Sequence, residues 1–155
     1  MHARVAQLID ELQLQAHPEG GYYRRVFESV VRLPGGRLAS SGILFLLPAG
    51  QVSRWHRVDA DEVWHFYEGE RLELLLAESP ASIQRQVLGP LACDALPQRA
   101  VPAHAWQAAR PLGDYSLVGC TLAPAFEFSG FCLLSDAPHE QQAWPLLAGD
   151  YPELL

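Results

Sequence analysis

The chain has 155 residues, 49% of them hydrophobic and 19% charged, and a formal net charge of −7 at pH 7. That is enough apolar material for one substantial core and too little charge for a largely disordered chain. All eleven basic residues are arginine and only Arg24 and Arg25 are adjacent, so the basic face that nucleic acid demands is missing.

In chain order, His2–Leu14 reads as a helix, because Val5, Leu8, Ile9 and Leu12 fall on one face. HPEGG at His17–Gly21 stops it, with a proline that cannot continue the helix and two glycines that permit a reversal. Tyr22–Glu28 reads as a strand, Leu33–Arg37 as a turn, and Ser41–Leu47 as an apolar strand. Val52–Val58 and Glu62–Tyr67 read as two strands of a hairpin around Asp59–Asp61. Leu72–Ala77, Ile83–Leu88, Arg99–Val101, Trp106–Arg110 and Tyr115–Leu122 are further strands, and Gly89–Gln98 is a loop. Phe126, Phe128 and Phe131 pack an irregular stretch down, and prolines at 138, 145 and 152 limit any helix in the tail.

Roughly ten short strands after one helix point to an all-β jelly roll, with an up-and-down barrel as the alternative. The division is a leading helix over 1–16, a barrel over 22–134 and a short helical tail over 135–155. Three cysteines without a C-x-x-C, no leader pattern and no long apolar run predict a reduced, cytoplasmic protein with no membrane partner.

Gly50–Gly69 carries the chemistry. Strand alternation puts Arg54, His56 and Val58 on one face, and Glu62, Trp64 and Phe66 on one face of the next strand. His56 and Glu62 brought together suit either a divalent metal (Fe, Mn, Ni or Zn) or metal-free acid–base work. A buried His–Glu hydrogen bond without function is the plain alternative. His65 falls on the opposite face, His17 and His139 are expected in solvent, and His104 lies in a loop near the cavity mouth.

The spacing Gly50, His56, Val58, Glu62, Gly69 resembles the first cupin motif, with Val58 where that motif has its second histidine. PAHAWQ at Pro102–Gln107 resembles the second motif, with Gln107 at the ligand-histidine position. HPEGGYYRR, SSGILFLL, WHRVDADEVWHFYEG, VPAHAWQAAR and LVGCTLAPAFEFSGF together resemble the cupin-5 family along nearly the whole chain. The resemblance implies a cupin double-stranded β-helix, usually a homodimer, similar in fold to sugar-nucleotide epimerases such as dTDP-4-dehydrorhamnose 3,5-epimerase, to germins and to auxin-binding proteins.

Three functional readings follow. The first is an isomerase- or epimerase-like enzyme acting on a sugar nucleotide or related small polar ligand. There His56 and Glu62 move the proton, Tyr115 returns one, and Arg24, Arg25 or Arg54 holds a phosphate or carboxylate. The second is a non-catalytic binding module whose Tyr23, Trp64, Phe66 and Trp106 stack the ligand, with Gln107 beside them. The third is a weakly metal-dependent enzyme with His56, Glu62 and Gln107 as ligands.

Overall fold

The structure is a computed structural model and describes residues 2–155. Helix α1 (Ala3–Glu11) begins where a His2 ring nitrogen accepts the Arg4 amide at 3.2 Å. Its Val5 and Leu8, with Leu14 beyond it, pack on Leu46 and Leu117. The helix stops at Glu11 rather than at Leu14. Gln13 takes a left-handed φ of +53°, and Gln15–Ala16 form a short strand, β1, instead.

Strand β1 pairs with β2 (Tyr22–Glu28), Gln15 opposite Tyr23, so His17–Gly21 is the loop of a hairpin. The later strands are β3 (Ser41–Pro48), β4 (Ser53–Val58), β5 (Asp61–Gly69), β6 (Leu72–Ser79), β7 (Ser82–Leu88), β8 (Gln98–Val101), β9 (Trp106–Pro111), β10 (Tyr115–Ala123) and β11 (Phe131–Leu133). They form two antiparallel sheets, ordered β1-β2-β3-β10-β5-β8 and β11-β4-β9-β6-β7. This is the expected jelly roll.

One pairing differs from the sequence reading. β4 and β5 are not a hairpin: β4 pairs with β9 and β11, whereas β5 pairs with β10 and β8 in the other sheet. His56 and Glu62 therefore come from facing walls of the barrel. The apolar layer between the sheets includes Phe45, Leu47, Trp64, Leu72, Leu74, Leu76 and Val118, all buried. Period-two alternation sends the neighbours of these residues outward.

Both sheets also have a covered outer face. On the six-stranded sheet, α1 lies over Leu46 and Leu117. On the five-stranded sheet, Trp55, Leu75 and Trp106 are covered by Leu134, Leu147 and Leu154 from the tail. Double coverage explains why β3 and β6 read as near-continuous apolar runs rather than as alternating ones. The tail is three short pieces: α2 (Pro138–Ala143), α3 (Pro145–Asp150) and a 3-10 turn (Pro152–Leu154). Each starts on a proline, which suits a first helical turn because its missing N–H has no partner there. Arg57 ties α2 to β4 through Glu140 at 2.7 Å, and Arg110 reaches Glu153 at 2.9 Å. Among the described residues no helix is long and apolar enough to cross a membrane.

The hairpin loop is sterically committed. Gly20 has φ +113°, and a Cβ there would stand 2.0 Å from the Val52 carbonyl oxygen. Gly149, in α3, has open space around the same position. Gly20→Ala is expected to cost about 2 kcal/mol or more, because strain and a backbone clash add. Gly149→Ala is expected to be neutral or stabilising by about 0.5–1 kcal/mol. Urea midpoints at unchanged m-value measure both.

Candidate functional site

The site is built where the His17–Gly21 loop folds against β4. Arg54 holds it there: its amide donates to the Glu19 carbonyl at 2.9 Å, and its guanidinium donates to the carbonyls of Pro18 at 2.5 Å and Glu19 at 3.4 Å. The Gly21 amide donates to Gln51 Oε1 at 3.1 Å. With the loop fixed, the Glu19 side chain points inward and is buried. Its Oε1 accepts from the Ser53 hydroxyl at 2.7 Å, and its Oε2 lies 3.2 Å from His56 Nε2.

His56 sits on β4 with Nδ1 at 2.7 Å from the Arg54 carbonyl oxygen. A carbonyl only accepts, so Nδ1 carries the proton and Nε2 faces the carboxylate. Across the barrel, Glu62 Oε2 accepts from the Gln107 amide at 2.6 Å, and Gln107 Oε1 accepts from the Trp64 indole at 2.9 Å. The indole N–H can only donate, which fixes the orientation of the Gln107 amide. Cys120 also lines the cavity, and burial holds its thiol protonated, with its pKa well raised.

Glu19, His56, Glu62 and Cys120 form the floor of a cavity of about 470 Å³, within the size range of small-molecule sites. Ile43, Val58, Leu122, Phe126 and Phe131 make its apolar wall. Gln15, Tyr23, Arg24, Arg25 and Phe128 also line it, and Arg24, Arg25 and Phe128 are exposed to solvent. The Arg25 guanidinium stands 5.9 Å from the centre of the Phe126 ring.

Burial dominates the electrostatics, because a charge without water is costly. Desolvation raises Glu19 to about 8, against the Ser53 hydrogen bond and the Arg54 charge. It raises Glu62 to about 7, against His56, with the nearby Glu19 charge adding to the rise. It lowers His56 although Glu62 pulls the other way, and lowers His17 to about 3. His17 Nδ1 accepts the Glu19 amide at 3.2 Å, so this imidazole is neutral and offers only Nε2–H as a donor.

Of the residues singled out from sequence, His56, Glu62, Tyr23 and Arg24 line the cavity. Tyr115 does not: its hydroxyl donates to Glu68 at 2.8 Å, beside Arg4 of α1. Arg54 clamps the loop instead of facing the cavity. Trp64 and Phe66 belong to the packed layer between the sheets. Trp106 lies on the outer face of its sheet, with Arg57 4.8 Å above its ring and Trp144 beside it. Gln107 is fully buried behind Glu62. His104 pairs its amide with Val58 outside the cavity lining, and His65 bonds Thr121 near the surface. His17, Glu19, Ser53 and Cys120 had no place in the sequence-derived site. The signal for the first two was a histidine and a glutamate two residues apart in a loop closed by two glycines.

The residues considered for a metal do not fit one. Val58 offers no donor, and Gln107 Oε1 is taken by the Trp64 indole. Among the described residues no three His, Cys, Asp or Glu side chains are grouped as ligands, whereas a first-row ion bound by protein usually has three or more.

The family model Cupin_5, described as Cupin superfamily (DUF985), matches residues 6–134. A protein of Shewanella oneidensis solved by X-ray crystallography is 34% identical, with 96% of this chain and 94% of that one covered and a TM-score of 0.86. A hypothetical protein from Leishmania major is 29% identical over 89% of this chain and 94% of that one, with a TM-score of 0.74. Oxalate decarboxylase from Bacillus subtilis, in its R92A mutant, is similar in fold alone. Identity there is 15%, coverage is 88% of this chain and 34% of that one, and the TM-score is 0.61. No curated protein matches.

The buried groups set the pH dependence of stability. Glu19 and Glu62 bind protons more tightly folded than unfolded, so their contribution is present below about pH 4.5 and is lost as pH rises through about 7 and 8. His17 works the other way, and its contribution is lost as pH falls from about 6.5 toward 3. Stability is therefore expected to fall between pH 6.5 and 8, and to fall less in Glu19→Gln. Urea midpoints across that range measure the difference.

Proposed function

The chain belongs to the Cupin_5 family of the cupin superfamily (DUF985). From that premise we propose that its cavity binds a small polar ligand and moves a proton at a carbon next to a carbonyl, the chemistry of an isomerase or epimerase. The observation that carries this reading is the placement of His56 between two buried carboxylic groups, Glu19 and Glu62, on the floor of a ligand-sized cavity. A proton leaves carbon for one group of this cluster while another supplies one to the carbonyl oxygen. The C–H electron pair becomes the C=C bond of an enol, and reprotonation at carbon completes the isomerisation. Groups that titrate near neutrality suit both directions of transfer.

The apolar wall takes the body of the ligand, and Arg24 and Arg25 suit a carboxylate or phosphate at the mouth. A sugar nucleotide is one ligand with that distribution of charge. Three free cysteines suit a reducing, cytoplasmic setting. Val26, Phe27, Val30 and Val31 are exposed on and just past the part of β2 that the two-residue β1 leaves unpaired, which supports pairing of two copies there.

Non-catalytic binding is the competing reading, and isotope exchange separates the two. Ligands are first chosen by thermal shift from a panel of enolisable sugar phosphates, sugar nucleotides and 2-oxo acids. Each is then incubated with protein in D2O and followed by proton NMR. Wild-type protein is expected to replace C–H by C–D in at least one bound ligand, and His56→Ala to slow this about 100-fold or more while binding persists. Binding without exchange would leave a binding module.

A further inference from the structure

His56 and Glu19 meet at 3.2 Å through Nε2 and Oε2. The proton on His56 Nδ1 is committed to the Arg54 carbonyl, and Glu19 Oε1 is committed to the Ser53 hydroxyl. The state of the contact between them is then a matter of counting. With no proton, a lone pair faces a carboxylate lone pair in a buried site, which is repulsive. With two, the pair buries an uncompensated positive charge. One proton gives a hydrogen bond and no net charge.

The other groups packed around the pair leave this count unchanged. His17 Nδ1 is 3.7 Å from the same Glu19 oxygen, but it already accepts the Glu19 amide and offers no proton there. The Arg54 guanidinium is spent on loop carbonyls. Glu62, from β5, is held by Gln107, which donates to its Oε2 at 2.6 Å. Phe131 approaches the His56 ring at 5.6 Å and carries no proton to exchange.

We propose that Glu19 and His56 hold a single proton between Oε2 and Nε2 and act as the acid half of the site, with Glu62 on the facing wall as the base. The role in catalysis rests on the proton-transfer reading above; the shared proton does not. Burial places the resting proton on Glu19, since the neutral acid and neutral imidazole are the least costly form in a dry site. In the forward step the Glu19 O–H proton passes to the carbonyl oxygen of the ligand, and the Glu62 carboxylate takes the proton from the adjacent carbon. The C–H pair forms the C=C bond and the carbonyl π pair forms the new O–H bond. The charge lost from Glu62 appears on Glu19, where the Ser53 hydroxyl and the Arg54 charge offset part of the repulsion from the His56 lone pair, and the pair regains its proton from the enol O–H when the carbonyl re-forms. Glu19 is thereby a catalytic residue supplied by the HPEGG loop.

The test needs no ligand. Proton NMR of the full chain between pH 5 and 8 is expected to show one far-downfield exchangeable resonance with a nuclear Overhauser effect to the His56 ring. Glu19→Gln, nearly isosteric, is expected to abolish it while circular dichroism stays that of the wild type, and Glu62→Gln is expected to keep it. Persistence of the resonance in Glu19→Gln overturns the proposal. So does a nitrogen-15 histidine spectrum in which wild-type His56 Nε2 titrates as an isolated imidazole. Near-stoichiometric metal in protein purified without chelator, with no downfield resonance, puts an ion in place of the proton and overturns it too. If the resonance behaves as expected but no ligand exchanges its C–H, the shared proton stands and only the enzymatic reading fails.

Discussion

The anchoring of the His17–Gly21 loop by Arg54 is the constraint on which the site depends. One arginine supplies a backbone amide and a guanidinium to two successive loop carbonyls. Charge-assisted bonds of this kind are among the stronger ones available, and the planar fork fixes geometry as well as distance. Gly20 lets the loop lie directly on the Val52 carbonyl, where any side chain would collide. The result is a carboxylate carried into the protein on a loop. It is held against burial by a single hydroxyl, a nearby positive charge and an imidazole. Such an arrangement is costly to stability unless the carboxylate is protonated or paired. That cost is why the loop must be pinned so firmly, and it is typical of groups kept for chemistry rather than for folding.

The barrel explains which aromatic residues take part. Both sheets are covered over part of each face, so the central strands β3, β6 and β9 have two buried sides and aromatic character says little about which side is the cavity. Trp106 and Gln107 are neighbours on β9, and period-two geometry forbids both from facing inward. His56 stands opposite Gln107 in the register, so Gln107 faces the interior and Trp106 packs under the tail. The cavity takes its aromatic wall from Phe126 and Phe131, which lie after the last long strand.

Much of the architecture was legible in the sequence, because turn residues and apolar alternation are local signals. The strand over Tyr22–Glu28 and the one starting at Ser41 lie where the sequence places them. His56 and Glu62 were legible as a pair from their spacing. Their placement on facing sheets was not, because a tight turn such as Asp59–Asp61 is equally compatible with a hairpin and with a corner between sheets. Arg54 was misread for a different reason. The pairing of β4 with β9 shifts between Ser53 and His56, so strict alternation fails there and Arg54 leaves the face that His56 occupies. His17 was expected in solvent and is instead nearly buried against the cavity, and Glu19 had no place in the sequence-derived site, because loops are ordinarily exposed and only the long-range bonds to Arg54, Gln51 and Ser53 bury this one.

The same hydrogen-bond logic shows what became of the motif positions where this chain departs from its superfamily. Val58 is an apolar wall residue of the cavity. By residue type Gln107 offers a weak oxygen ligand, but the Trp64 indole has only a proton to give and claims that oxygen. Its amide nitrogen is then forced toward Glu62, where it donates at 2.6 Å. A histidine at 107 could join Glu62 in binding a cation; the glutamine instead hydrogen-bonds the carboxylate and keeps it in place. The Trp64, Gln107 and Glu62 chain thus orients one carboxyl group from the core side, as Arg54 and Ser53 orient Glu19 from the loop side. Two independently positioned carboxyl groups about one imidazole form a site organised to hold and move protons.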